Sequence, residues 1–208
     1  MILIGIGGNL ESAQFGPPCD TLTAALAALE EKRIRLLARS GWYRTEPVPR
    51  SDQPWFVNAV VSLATELGAK DLLNELQATE RQFGRVRGEP NAPRILDLDI
   101  LDYQGEVMDT TSLVLPHPRL HERRFVLIPI AEIAPDWRHP ILELTTPYTT
   151  GADVLALQKA LAANGANAGT DGVFGPLTSV LVKQFQRGRG LKDDGVVGPQ
   201  TWQELGVD

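Results

Sequence analysis

A chain of 208 residues has room for one or two domains at roughly 150 residues each. Its 43% hydrophobic and 22% charged content is that of an ordinary globular protein and excludes a disordered or collagen-like chain. The net charge of −6 argues against a nucleic-acid binder, and no apolar run approaches the roughly 18 to 20 residues of a membrane helix. In chain order, Ile2–Ile6 reads as an apolar strand running into Gly7 and Gly8; with no basic residues ahead of it, it does not read as a secretory leader. Leu22, Ala25, Leu26 and Leu29 recur at i, i+3, i+4, i+7 and predict a helix entered after Pro17-Pro18. Ile34–Tyr43 and Phe56–Thr65 read as strands, separated by a loop holding Pro47, Pro49 and Pro54. Leu72, Leu73, Leu76 and Phe83 mark a second helix closed by Gly84, and Ile95–Leu101 is a fourth strand. The order β-α-β-β-α-β predicts an α+β, ferredoxin-like sandwich with helices on one sheet face and the other face free for chemistry.

Thr145–Thr150 has turn-forming composition and no apolar periodicity, so it reads as a linker between residues 1–144 and 151–208. The tail repeats itself. Asp171-Gly172-Val173-Phe174-Gly175-Pro176-Leu177-Thr178 returns 23 residues later as Asp194-Gly195-Val196-Val197-Gly198-Pro199-Gln200-Thr201. Proline suits the first helical position, so helices are expected near Pro176 and Pro199. With the stripe Val154, Leu157, Leu161 before them, the tail reads as three short helices.

The richest stretch for chemistry is Ile95-Leu96-Asp97-Leu98-Asp99-Ile100-Leu101. Alternation along a strand puts Asp97 and Asp99 on one face, roughly 6 to 7 Å apart, a spacing that suits hard cations. Arg81, Arg85, Arg87 and Arg94 precede the pair, and His117, Arg119, His121, Arg123 and Arg124 follow. Guanidinium groups bind phosphate oxygens, and magnesium joins carboxylates to substrate phosphates. The pattern therefore reads as a magnesium–nucleotide site without a P-loop, or else as a solvated face with a surface ion-pair network. Phe56 and Asn58 share a strand face, where a ring stacks on a heterocycle and an amide binds its edge. Phe56 as a plain core residue is the alternative.

Several blocks occur together in one order: Gly7-Gly8-Asn9-Leu10, Tyr43-Arg44-Thr45, Asp52-Gln53-Pro54 with Phe56-Val57-Asn58-Ala59, Gly84-Arg85-Val86-Arg87, Ala92-Pro93-Arg94-Ile95-Leu96-Asp97-Leu98-Asp99, Leu115-Pro116-His117 and Arg123-Arg124-Phe125. Over residues 1–144 the chain resembles the 6-hydroxymethyl-7,8-dihydropterin pyrophosphokinases of folate synthesis. The resemblance implies transfer of pyrophosphate from ATP to the pterin hydroxymethyl group with release of AMP. It implies that Asp97 and Asp99 bind two Mg2+ ions, that Arg85 and Arg94 bind phosphate as catalytic residues, and that Gln77, Glu80, Arg87, His117 and Arg123 line the ATP side. Thr45, Phe56, Asn58 and Phe125 would hold the pterin between two rings, with Asn9 helping to build the same pocket. The chain departs from the family at Gly8, where serine is common, and between Gly88 and Pro93. There Pro90 and Asn91 replace a basic residue and a tryptophan of some relatives, so two ATP contacts are absent or replaced.

The tail, 151–206, resembles a peptidoglycan-binding helical domain through its two D-G-x-x-G-x-x-T turns, which implies cell-wall peptidoglycan as a partner. An ATP-dependent enzyme with the single cysteine Cys19 fits the cytoplasm, and the two implications point to different compartments. An enzyme with a helical appendage and a wall-anchored protein with an inactive kinase-like half are therefore the rival readings. A ferredoxin-like RNA binder lacks both the aromatic signature and the basic surface.

Overall fold

A computed structural model of the protein describes residues 1–86, 88, 92–120 and 123–207. The chain divides into two compact units, 1–104 with 108–137, and 105–107 with 138–208. The first unit runs β1 (Ile2–Gly8), α1 (Pro18–Glu31), β2 (Arg35–Arg39), β3 (Tyr43–Thr45), β4 (Phe56–Ala64), α2 (Ala69–Gln82), β5 (Asp97–Tyr103), β6 (Met108–Asp109), β7 (Val114–Leu115) and α3 (Arg124–Ile133). It is a mixed α/β fold built on an antiparallel sheet of order β2-β4-β1-β5, with β3 also paired to β4.

Side-chain alternation decides what each face does. On one face Ile2, Ile4, Ile6, Ala59, Val61, Leu63, Leu98 and Ile100 pack against Leu22, Ala25, Leu26 and Leu29 of α1 and Leu72 and Leu76 of α2. Pro18 starts α1 at a position that needs no N–H, and Gly84, at φ +84°, ends the chain's run out of α2 in the left-handed region. The opposite face is not free, as expected from sequence, but half covered. Val126, Ile130 and Ala134, on and just after α3, bury Leu3, Val60 and Leu101 there. Helix α3 escapes periodicity reading because it carries Pro129 in its interior and apolar residues nearly all round. Helix α3 leaves the other half of that face open.

The expected strand 34–43 is broken. Arg39 pairs with Val61 and Tyr43 with Asn58, so three residues, Ser40, Gly41 and Trp42, stand opposite two. Such a bulge reverses the parity of the strand. Tyr43 and Thr45 therefore share a face with Asn58, whereas Arg39 does not. The expected fourth strand begins two residues late, at Asp97, and continues to Tyr103.

The second unit holds α4 (Ala152–Ala163), α5 (Pro176–Gly188) and α6 (Pro199–Leu205). Residues 138–150, including the segment read as a linker, fall within this unit. Leu142 belongs to its core and exchanges backbone hydrogen bonds of 2.9 and 2.7 Å with Val197. The sequence repeat has a physical basis. Gln158, fully buried, accepts from the Gly172 N–H at 2.9 Å and donates to the Val173 carbonyl at 3.2 Å. Gln186 does the same for the second copy, accepting from Gly195 N–H at 2.9 Å and donating to the Val196 carbonyl at 2.8 Å. In each turn the aspartate, Asp171 or Asp194, accepts from the backbone two residues on at 2.9 Å. Two buried amides thus hold two Asp-Gly turns. Gln158→Ala removes the acceptor of the Gly172 N–H, while the Val173 carbonyl keeps the Gly175 N–H at 2.9 Å, and is expected to cost about 1–3 kcal/mol. Hydrogen exchange of backbone amides in 150–207 should accelerate, while amides of the β1–β4–β5 sheet should not change.

Candidate active site

The site begins with side chains that β1 does not have. Gly5 and Gly7 pair with Val60 and Asn58 of β4 on one side and with Asp99 and Asp97 of β5 on the other. A Cβ on Gly7 would lie 2.4 Å from Asn58 Oδ1, and one on Gly8 would lie 2.3 Å from the Ile95 carbonyl oxygen. A side chain at Gly7 would have to displace the Asn58 amide, and one at Gly8 the chain just before β5. The bare backbone floors a cavity of about 430 Å3. Thr45, Pro47, Val48, Phe56 and Asn58 wall one side, and Arg94, Asp97 and Asp99 the other. Arg119, Arg123, Arg124 and Phe125 close the α3 end.

The neutral wall is ordered by few bonds. Asn58 Nδ2 donates to Thr45 Oγ1 at 2.8 Å, which fixes the amide orientation beside Phe56. Phe125, near the start of α3, supplies the second ring of the cavity. The Arg94 guanidinium lies 5.7 Å from the centre of the Phe56 ring, and that of Arg123 lies 5.6 Å from the centre of Phe125. Each ring therefore joins the apolar pocket to the charged one.

The charged wall turns on Asp97. Its Oδ1 accepts a close contact from Arg85 Nη1, and its Oδ2 accepts from Arg94 Nη1 at 2.7 Å. Arg85 also contacts Glu80 Oε1 closely and donates to the Leu96 carbonyl at 3.2 Å. Burial opposes the Arg85 charge, but Asp97 and Glu80 more than offset it and hold the guanidinium above its ordinary pKa. Asp99 lacks such partners in kind. Burial first, then the neighbouring Asp97 carboxylate, push it up to about 6 against the pull of Arg123. Arg123 is itself lowered, by burial and then by Arg119. The cavity thus carries surplus negative charge at its floor and crowded positive charge at its rim. Both are relieved by an anion bound together with a cation.

Several residues expected at the site do not line this cavity. Asn9 is 3% exposed and does not line the cavity; its Oδ1 accepts from Arg94 N–H at 2.8 Å and its Nδ2 donates to the Pro54 carbonyl at 3.0 Å. It ties the loop before Phe56 to the backbone of Arg94. Glu80 is 2% exposed, accepts from the Leu98 N–H at 2.8 Å, and serves the cavity through Arg85. Gln77 is half-buried on α2, away from the cavity lining. His117 stands outside the lining as well, its Nδ1 accepting from Arg119 N–H at 3.2 Å. Arg87 lies outside the described residues. In the other direction, Arg119 and Arg124, noted only as part of the basic run, and Pro47 and Val48, given no role, line the cavity. The two arginines lie in the basic run after His117, but only the turn into α3 decides which of its members face inward. Among the described residues, no third His, Cys, Asp or Glu joins Asp97 and Asp99 in a metal-binding group.

Guanidinium groups beside a pair of carboxylates, opening onto a slot with two rings, equip a transferase that acts on phosphates and a flat heterocycle. Residues 3–135 match the family model of 7,8-dihydro-6-hydroxymethylpterin-pyrophosphokinase, and the chain belongs to this family. It is 40% identical over 139 residues to the 2-amino-4-hydroxy-6-hydroxymethyldihydropteridine pyrophosphokinase of Synechocystis sp., covering 66% of this chain and 68% of the relative. The Methylorubrum extorquens protein of the same name is 42% identical over 64% of this chain and 82% of its own length. That of Haemophilus influenzae is 40% identical over 69% and 87%. Residues 150–205 match a second model, described as "Putative peptidoglycan binding domain". The solved SleB N-terminal domain is similar at 36% sequence identity, covering 33% of this chain and 92% of that one, with a TM-score of 0.30. Among the described residues no helix is long and apolar enough to cross a membrane.

The surroundings of His117 give a test of the charge layout. Burial first, then Arg123 and Arg119, lower its pKa to about 4. Its imidazole should therefore stay neutral between about pH 5.5 and 8, where an ordinary histidine titrates. Histidine ring NMR signals, assigned with a His117→Gln variant, should show one ring whose shifts do not move over that range.

Proposed function

We propose that this protein transfers pyrophosphate from ATP to 6-hydroxymethyl-7,8-dihydropterin, giving AMP and the pterin pyrophosphate in folate biosynthesis. One observation supports this most: the family match spans the whole sheet unit, and within it the two-ring slot opens directly onto Asp97, Asp99 and Arg94. Release of AMP requires the hydroxymethyl oxygen to bond to the β-phosphorus while the bond to the α-phosphate oxygen breaks. Such a transfer needs alignment and charge neutralisation more than covalent help. Phe56 and Phe125 sandwich the pterin, and Asn58, held by Thr45, bonds its edge. The fold that carries them is the ferredoxin-like β-α-β-β-α-β arrangement, with α3 added over the second face.

Asp97 and Asp99 fit a magnesium site: both are hard oxygen donors on one strand face, and a cation would offset the burial and the neighbouring carboxylate that raise the Asp99 pKa. Bound there with waters and phosphate oxygens, one or two Mg2+ ions would supply charge neutralisation for the triphosphate. Asp97, which here accepts from Arg85 and Arg94, would hold the metal together with Asp99. Arg94 and Arg85 become available to the phosphates, while Glu80 keeps Arg85 in place from behind. Arg123, joined by Arg119, draws the polyphosphate to the rim. ATP dependence supports a cytoplasmic site of action. Residues 150–205 are assigned peptidoglycan binding, tested by sedimentation of the full chain with insoluble peptidoglycan.

The reaction is tested by incubating the protein with ATP, magnesium and the pterin and separating nucleotides. AMP in one-to-one ratio with the pterin product is expected; stoichiometric ADP would overturn the assignment. Asp97→Ala should abolish most turnover while leaving the fold intact. Phe56→Ala should weaken pterin binding by about 30- to 150-fold, equivalent to about 2–3 kcal/mol of stacking and burial, and ATP binding far less. In the absence of nucleotide, magnesium affinity should fall as pH drops below about 6, approaching tenfold per unit, because Asp99 must release its proton first.

A further inference from the structure

The two walls of the cavity belong to elements that sequence distance keeps apart: β3 with Thr45 on one side, α3 with Phe125 on the other. One side chain joins them away from the cavity. Glu132, near the end of α3, accepts from the Gly41 N–H at 2.9 Å through Oε1 and at 3.1 Å through Oε2. Its Oε2 also accepts from the Tyr43 hydroxyl at 2.8 Å. Gly41 is the middle residue of the bulge, and a bulge leaves backbone groups outside the ladder. Tyr43 is the first residue of β3, two positions before Thr45, on the same face. The hydrogen bond to Glu132 holds the tyrosine hydroxyl above its ordinary pKa.

We infer that Glu132 is a positioning residue for the pterin slot: by fixing the bulge at Gly41 and the Tyr43 hydroxyl to α3, it sets the separation of Thr45 and Asn58 from Phe125. The inference rests on the slot reading given above. Its physical basis is the parity change. The register shift between Leu36 and Ala38 reverses the parity of the strand, and the extra residue between Arg39 and Tyr43 restores it, so that Tyr43 shares a face with Asn58; a bulge with its N–H unheld relaxes more readily than a paired strand. Glu132 supplies the missing acceptor from the element that carries the opposite wall. The carboxylate touches neither cavity nor phosphates, so its removal acts on geometry rather than on charge at the reacting groups. Helix α3 stays packed without it, since Val126, Ile130 and Ala134 bury Leu3, Val60 and Leu101 independently.

The experiment compares Glu132→Ala, Glu132→Gln and Tyr43→Phe in the full chain with Phe56→Ala as a control. Dissociation constants are measured by calorimetry for the pterin and for a non-hydrolysable ATP analogue with magnesium. Glu132→Ala is expected to weaken the pterin by about three- to tenfold, the range left to charged hydrogen bonds in partial contact with water, and the ATP analogue less than twofold. Glu132→Gln, whose amide oxygen still accepts, should recover at least half of the loss, and Tyr43→Phe should show a smaller loss of the same kind. Unchanged pterin affinity in Glu132→Ala, alongside a large loss in Phe56→Ala, overturns the inference and leaves the slot standing. Equal losses for both ligands also overturn it, because they reveal a general structural role. If Phe56→Ala itself leaves pterin affinity unchanged, the slot reading fails instead. Should Glu132→Ala not fold, the Gln and Phe variants carry the same comparison.

Discussion

Strand β1 lies between β4 and β5, and at Gly5 and Gly7 it presents only backbone to the cavity. The rest of the site depends on that absence. A single methyl group at Gly7 would strike the Asn58 amide, which orients the ring-binding wall, and one at Gly8 would strike the chain just before β5. The other face of the same strand carries Ile2, Ile4 and Ile6, so β1 is an apolar core strand and a bare floor at once. Burial on one side provides the stability that lets the other side stay empty. Placing the gap at the centre of the sheet, rather than on a loop, gives the site rigid edges on both sides.

Charge is then arranged around that floor in a fixed sequence from inside to outside. Glu80, buried beneath the sheet, holds Arg85; Arg85 meets Asp97; Arg94 meets Asp97 from the other side. A buried ionic chain of this kind costs desolvation and contributes little net stability. Its value lies in geometry, since it keeps two guanidinium groups and a carboxylate ready within one hydrogen-bond length. Asp99, by contrast, is raised by burial and by Asp97, and Arg123 and Arg119 crowd each other at the rim. The ligand-free protein thus stores unfavourable like-charge pairs at floor and rim, which a bound polyanion with its cation relieves. Asn9 shows how the loops are kept in step with this arrangement. Its one amide joins the backbone of Arg94 to the loop leading into Phe56.

The helical unit solves a different problem with a repeated device. With few residues, it buries Leu157, Leu161, Phe174, Val182, Val197 and Trp202 and holds its two turns with buried glutamines. The Asp-Gly pair in each turn lets the chain enter the left-handed region, at φ +68° for Gly172 and +81° for Gly195. Gln158 and Gln186 sit within apolar helical stripes, where a sequence pattern marks them only as interruptions. Their role appears when the turns fold back over them.

Everything legible along the chain alone is local or periodic. The apolar alternation of β1 and β4, the stripes of α1 and α2, the shared face of Asp97 and Asp99, and the proline-started helices of the tail all follow from spacing along one element, because side-chain direction is set by backbone period. The family resemblance rested on such short blocks and held across 3–135. Tertiary structure alone decided the rest. Two one-residue irregularities, between Leu36 and Ala38 and at Ser40-Gly41-Trp42, together set which way Tyr43 and Thr45 face, and no composition signal marks either. Helix α3, interrupted by Pro129 and apolar all round, covered a face that alternation had left open. The hydrogen bonds of Asn9 and Glu80 to the backbone of Arg94 and Leu98 were not legible either, since an amide or carboxylate serves whichever partner folding brings within about 3 Å. Arg119 and Arg124 joined the cavity for the same reason in reverse: a run of arginines fixes the charge, but only the packing of α3 on Leu3, Val60 and Leu101 fixes which of them face the substrate side.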